Sequence, residues 1–112
     1  FLRSAYSATA VRASRAAANS VSRIGPSHYT GKSVLIDDGT EIRSHCFIAE
    51  GARIGKDVKI LQHSNICKGS IIEDCVFIGM NTILTNTKKI AYLRKYECES
   101  EPPYIEYGAR IG

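Results

Sequence analysis

Aliphatic residues recur every six positions along most of this chain. Counted from Ile36 they are Ile36, Ile42, Ile48, Ile54, Ile60, Ile66, Ile72, Ile78 and Leu84, nine positions in one phase. Four residues after each of the first eight stand Thr40, Cys46, Ala52, Val58, Ser64, Ser70, Val76 and Thr82, all small or β-branched. Three residues after each stand Gly39, His45, Gly51, Asp57, His63, Gly69, Cys75 and Asn81. Gly, Asn and Asp dominate that slot, as expected where the backbone turns sharply or takes a positive φ. A helix face repeats near 3.6 residues and a strand face at 2, so a period of six belongs to neither.

A repeat of aliphatic, turn residue and small residue predicts a hexapeptide parallel β-helix. Each six builds a short strand and a corner, and three sixes close one triangular coil of eighteen. The aliphatic points inward onto its counterpart one coil away, and the small residue fits the crowded interior. The fold class read from the pattern is therefore all-β, with about three coils and the start of a fourth over residues 34–112. Residues 1–33 form a basic, Ala/Ser-rich extension, either disordered or weakly helical.

The phase breaks once. The rung after Leu84 is due at Ile90, yet the pattern resumes at Ile105 in "IEYGARIG", so about fifteen residues, 90–104, are inserted at a corner. This loop carries three tyrosines and Pro102-Pro103. A loop mounted at one place on a rigid solenoid is where functional residues are commonly found.

Charge is unevenly distributed. Residues 1–35 hold Arg3, Arg12, Arg15, Arg23 and Lys32 and no acid, while the rest carries ten Lys/Arg against eleven Asp/Glu. The basic character belongs to the extension, so the repeat offers no nucleic-acid surface. The acid-free stretch 1–23 has the composition of an organellar transit peptide, set against a default of a cytoplasmic protein. No apolar run approaches the roughly 20 residues that span a bilayer, so no membrane partner is expected. Cys46, Cys67, Cys75 and Cys98 lack the close pairing of a structural zinc site, and reduced thiols are expected. The chain opens on Phe1 and stops inside a repeat, which reads as a piece of a longer protein.

Residues eighteen apart are vertical neighbours on this fold. His45, His63 and Asn81 then stack at one outward corner, about 4.8 Å apart per coil. With the insertion leaving the next corner, Thr85 and Asn86 fall on the same side of the prism. A neutral imidazole suits a general base at neutral pH, which makes His63 the candidate catalytic residue. Backbone N–H groups at the corner, or Asn81, are candidate donors to an oxyanion. A metal centre needs a third ligand; His28 lies outside the repeat counted from Ile36 and Cys75 is at another corner, so no metal is expected.

The frame resembles the hexapeptide acyltransferases, and this resemblance implies a left-handed helix. Within them, "EDCVFIGMNTILTNT", then an insertion, then "IEYGARIG", is similar to the nucleotide-sugar N-acetyltransferases. Asp74-Cys75-Val76-Phe77-Ile78-Gly79, Thr85-Asn86 and Gly108-Ala109-Arg110-Ile111-Gly112 carry the match, over roughly residues 36–112. The chain departs from that pattern at Met80, where relatives have Pro, and in lacking a Pro-Arg, for which Arg94 is the candidate substitute. His63 stands where relatives have an Asn beside the sugar amine. The resemblance implies acetyl-CoA as donor, a nucleotide-linked amino sugar as acceptor and a homotrimer, with Gln62, His45, Asn81, Thr85, Asn86 and Arg94 on the substrate. Further coils beyond Gly112 would complete the trimer and the donor groove, where Lys56, Lys59 and Lys68 are candidate phosphate partners. Two alternatives stand beside it: a hexapeptide acetyltransferase for a sugar hydroxyl, an amino acid or an antibiotic, and a non-catalytic β-helical assembly subunit.

Overall fold

The computed structural model describes residues 23–112, and the basic segment before them, with its transit-peptide composition, lies outside the described residues. Twelve two-residue strands follow one another: β1 (Arg23–Ile24), β2 (Tyr29–Thr30), β3 (Leu35–Ile36), β4 (Glu41–Ile42), β5 (Phe47–Ile48), β6 (Arg53–Ile54), β7 (Lys59–Ile60), β8 (Asn65–Ile66), β9 (Ile71–Ile72), β10 (Phe77–Ile78), β11 (Tyr104–Ile105) and β12 (Arg110–Ile111). No helix occurs among the described residues.

The strands sort into three parallel sheets. The first face is β1-β4-β7-β10-β12, the second β2-β5-β8, and the third β3-β6-β9-β11. From β1 to β7 each strand pairs with the strand three places on, as Glu41↔Lys59 and Phe47↔Asn65 show, while β9 and β10 pair with β11 and β12. An isolated parallel bridge, Asn65↔Ile83, extends the second face by one rung. The architecture is that of a three-sided parallel β-helix with eighteen residues per coil.

The period of six follows from how each short strand is used. Its second residue points inward and is an isoleucine in eleven of the twelve strands, Thr30 of β2 being the exception, and from Ile36 through Ile78 without a gap. Ile48, Ile54, Ile60, Ile66 and Ile78 are fully buried, and each such burial is worth about 1.5–3 kcal/mol. The small slot serves a second purpose. Thr40 Oγ1 donates to the Gly55 carbonyl at 2.6 Å, Cys46 Sγ to Leu61 at 3.2 Å and Ser64 Oγ to Gly79 at 3.0 Å. Each bond runs fifteen residues forward, so an inward hydroxyl or thiol satisfies a corner carbonyl of the next coil.

The third slot is where the backbone turns. Ser27, Ser33, Gly39, His45, Gly51, Asp57, His63, Gly69, Cys75, Asn81 and Gly108 all have positive φ, between 54° and 78°. Only this region closes a corner in so few residues, and non-glycine side chains there carry a cost.

Two boundaries differ from the sequence expectation. The solenoid does not begin at 34: β1 and β2 pair in register with β4 and β5, so residues 23–33 are a coil and not an extension. Ile24 and Thr30 continue the count in sixes, but the acid-free composition of the segment hides them. The fold therefore runs through four coils and the first strand of a fifth, one coil more than the pattern from Ile36 gave. The second difference concerns the insertion. Tyr104 is not in the loop; it is the first residue of β11 and pairs with Ile71. The coil step there is Ile71 to Tyr104, 33 residues, matched by Phe77 to Arg110.

Candidate functional site

The corner between the first and second faces carries Ser27, His45, His63 and Asn81 as successive turn residues. The imidazoles of His45 and His63 are stacked, with ring centroids 4.9 Å apart and planes 12° from parallel. The separation is the coil pitch itself. Both rings are exposed, as is Asn81, and Gln62 beside them is half-buried. The structure thus brings together Gln62, His45, His63 and Asn81 on one corner.

The backbone of this corner is already engaged. The N–H of His45 donates to Pro26 O at 3.2 Å, that of His63 to Ser44 O at 3.3 Å, and that of Asn81 to Gln62 O at 3.0 Å. Those three N–H groups are spent on coil-to-coil bonds and are not oxyanion donors. The side-chain amide of Asn81 is a donor that the corner leaves exposed.

Thr85, Asn86 and Arg94 belong elsewhere. Thr85 and Asn86 sit at the corner between the second and third faces, where the insertion leaves the solenoid. Four residues of extended chain separate Asn81 from Thr85, about 13 Å. The Asn86 amide donates to Lys68 O at 3.2 Å, and its carbonyl accepts from Glu101 N at 2.6 Å. Asn86 therefore closes the base of the loop and is committed to structure. Arg94 lies in the loop, exposed, its N–H donating to Ala91 O at 2.9 Å.

The loop is tied at several points. Lys88 meets Glu101 at 3.3 Å, Lys89 Nζ lies 4.2 Å from the Tyr96 ring centre, and the Tyr96 hydroxyl donates to Ile90 O. Lys88, Lys89, Tyr96, Glu97, Glu99 and Glu101 line an open cleft of about 410 Å³. Ile90, Tyr92 and Leu93 at the tip are exposed. Pro102 packs over Gly69, where a Cβ would meet Pro102 Cγ at 3.3 Å, and the φ of 78° at that position favours glycine.

Between the two corners lies the outer surface of the second face. Tyr29 and Phe47 stack there at 4.7 Å and 18°, one coil apart. Sequence reasoning passed over this pair, although Tyr29 and Phe47 show the same eighteen-residue spacing as the histidines. His28, one residue before β2, bonds through Nδ1 to Gly25 O at 3.0 Å, a local contact within its own corner. Of the three lysines offered to phosphates, Lys59 already meets Glu41 at 3.7 Å and Lys68 meets Glu50 at 3.6 Å. Both pairs are partly exposed and weak. Among the described residues no helix is long and apolar enough to cross a membrane. All four cysteines are free thiols.

The chain matches no protein-family model and no curated protein sequence.

Proposed function

We propose that this chain is a left-handed β-helix acetyltransferase that moves an acetyl group from acetyl-CoA to the amino group of a nucleotide-linked amino sugar. The observation that carries the reading is the exposed His45–His63 stack, in the left-handed backbone region on adjacent coils. Glycine or asparagine would occupy those positions at lower conformational cost. Two successive imidazoles on one outward corner are a feature that folding does not require.

In this reading the amine lone pair attacks the thioester carbonyl carbon. His63 accepts the amine proton, the Asn81 amide donates to the developing oxyanion, and the carbon–sulfur bond breaks to release CoA thiolate, which is then protonated. His45 supports the His63 ring from one coil below, and Gln62 contacts the sugar. Thr85 and Arg94 meet the acceptor from the far corner and the loop. A homotrimer, with the donor lying along a groove between copies, and a cytoplasmic setting belong to the same proposal. Lys68, whose exposed pair with Glu50 is easily exchanged, is the lysine assigned to a phosphate in this reading.

The test is thiol release from acetyl-CoA with a nucleotide-linked amino sugar, comparing the full-length protein with its His63→Ala variant. The expected result is a fall in kcat of about a hundredfold or more. An unchanged kcat would remove His63 from the role. Absence of any CoA binding would overturn acyl transfer and leave a β-helical assembly subunit.

A further inference from the structure

We propose that the outer column of the second face holds the planar base of a nucleotide, seated on Phe47 with the Asn65 amide at its edge. The inference deepens the transferase reading and rests on it for the origin of the nucleotide.

Four outward residues form this column in strict register: Tyr29↔Phe47, Phe47↔Asn65 and Asn65↔Ile83. The first two are aromatic rings stacked on each other. The fourth is an exposed isoleucine. Asn65 interrupts this otherwise apolar ladder with a short polar side chain. Phe47 and Ile83 are two coil steps apart, about 9.6 Å. A flat ring in van der Waals contact with both sides needs roughly 7–8 Å, so one ring fits beyond the shorter Asn65 side chain and continues the stack at the spacing the coils set.

The fold makes no demand on the Asn65 side chain. Its backbone N–H donates to Thr82 O at 2.8 Å and its carbonyl accepts from Leu84 N at 2.9 Å, while the side chain is exposed. An amide offers two donors and one acceptor, the complement of a base edge, where a third aromatic or aliphatic would extend the ladder but read nothing. A ring of any base stacks on an aromatic face, and hydrogen bonds to its edge supply the selection.

The charge beside the slot suits a phosphate. Lys68 follows Asn65 by three residues, in the turn after β8. Its exposed ion pair with Glu50 leaves the ammonium free to exchange partners. His63 lies two residues on the other side, in the turn that leads into β8. A nucleotide here touches the catalytic corner. Its base has two sources in the proposed reaction, the acceptor nucleotide and the adenine of CoA.

The experiment titrates the chain with uridine diphosphate and, separately, with adenosine 3′,5′-bisphosphate, by calorimetry. One of the two is expected to bind, and which one identifies the source. Phe47→Ala should weaken that binding about tenfold or more. Asn65→Phe fills the gap with a protein ring, so it should abolish binding while the thermal midpoint holds or rises. Failure of both nucleotides to bind, or binding untouched by both substitutions, overturns the slot. A change of oligomeric state in Asn65→Phe without loss of nucleotide also overturns it, assigning the face to a second copy. The two proposals fail separately. Acetyl transfer lost with His63→Ala but nucleotide binding indifferent to Phe47 removes the slot alone. Binding that depends on Phe47 in a chain without acetyl transfer keeps the slot and removes the transferase.

Discussion

The carboxylate of Glu73 accepts the backbone N–H of Tyr107 at 2.9 Å, joining residues 34 apart in the chain. Its other oxygen takes the Tyr104 hydroxyl. One side chain on the third face thus fixes the coil to which the chain returns after the insertion.

Removing that carboxylate should loosen the return and little else. Glu73→Ala is expected to cost about 1 kcal/mol, the low end for a partly exposed charged acceptor. Hydrogen exchange at the Tyr107 amide and through β12 should accelerate, while β4 and β7 keep their protection. Uniform acceleration across all coils would contradict a local role.

The histidine corner should trade stability against activity. His63→Asn places a residue better suited to φ of 61° at the corner. The thermal midpoint should hold or rise, by up to about 1 kcal/mol in stability, while acetyl transfer falls steeply. A drop in both would make the imidazole a structural group.

The inward hydroxyls are not equivalent. Thr40 is fully buried, donates to Gly55 O and accepts from Val58 N at 3.2 Å. Thr40→Val keeps the shape and strands both partners, so it should cost about 1–3 kcal/mol by urea denaturation. Ser64→Ala should cost less, because Thr82 Oγ1 still reaches Gly79 O at 2.9 Å.

Alkaline stability should depend on Cys46. Burial pushes its thiol above the ordinary range, opposed in part by backbone hydrogen bonds from Ser64 and His63. The folded state therefore holds the thiol proton more tightly than the unfolded state. That contribution is complete below the unfolded thiol pKa and is lost as pH rises through the raised folded value. Cys46→Ala should flatten this alkaline decline in chemical denaturation, whatever its cost at neutral pH. In the native chain a thiol reagent should modify exposed Cys75 and Cys98 at once and Cys46 only on unfolding.

Much of this was legible in the residues from Ile36 onward, because each coil repeats the same local demands. The inward isoleucines, the positive-φ corners and the placing of His45 over His63 all follow from one period. The first coil was not legible: Ile24 and Thr30 keep the phase, but the surrounding Ala, Ser and Arg carry no repeat. Tyr104 was placed in the loop because the count in sixes starts at the aliphatic, Ile105, which is the second residue of its strand. At the corner, sequence could name His63 and Asn81 but could not tell that their N–H groups were occupied.

The sequence by itself determined the coil length, the buried set and which residues share a column. Those depend on spacing, and spacing is fixed once every strand must bury one aliphatic and every corner must turn. Tertiary structure decided which contacts the columns make. It closed the loop base through Asn86 and Glu101 and tied the return to Glu73. These links join residues one or more coils apart, and their geometry exists only when the coils are stacked.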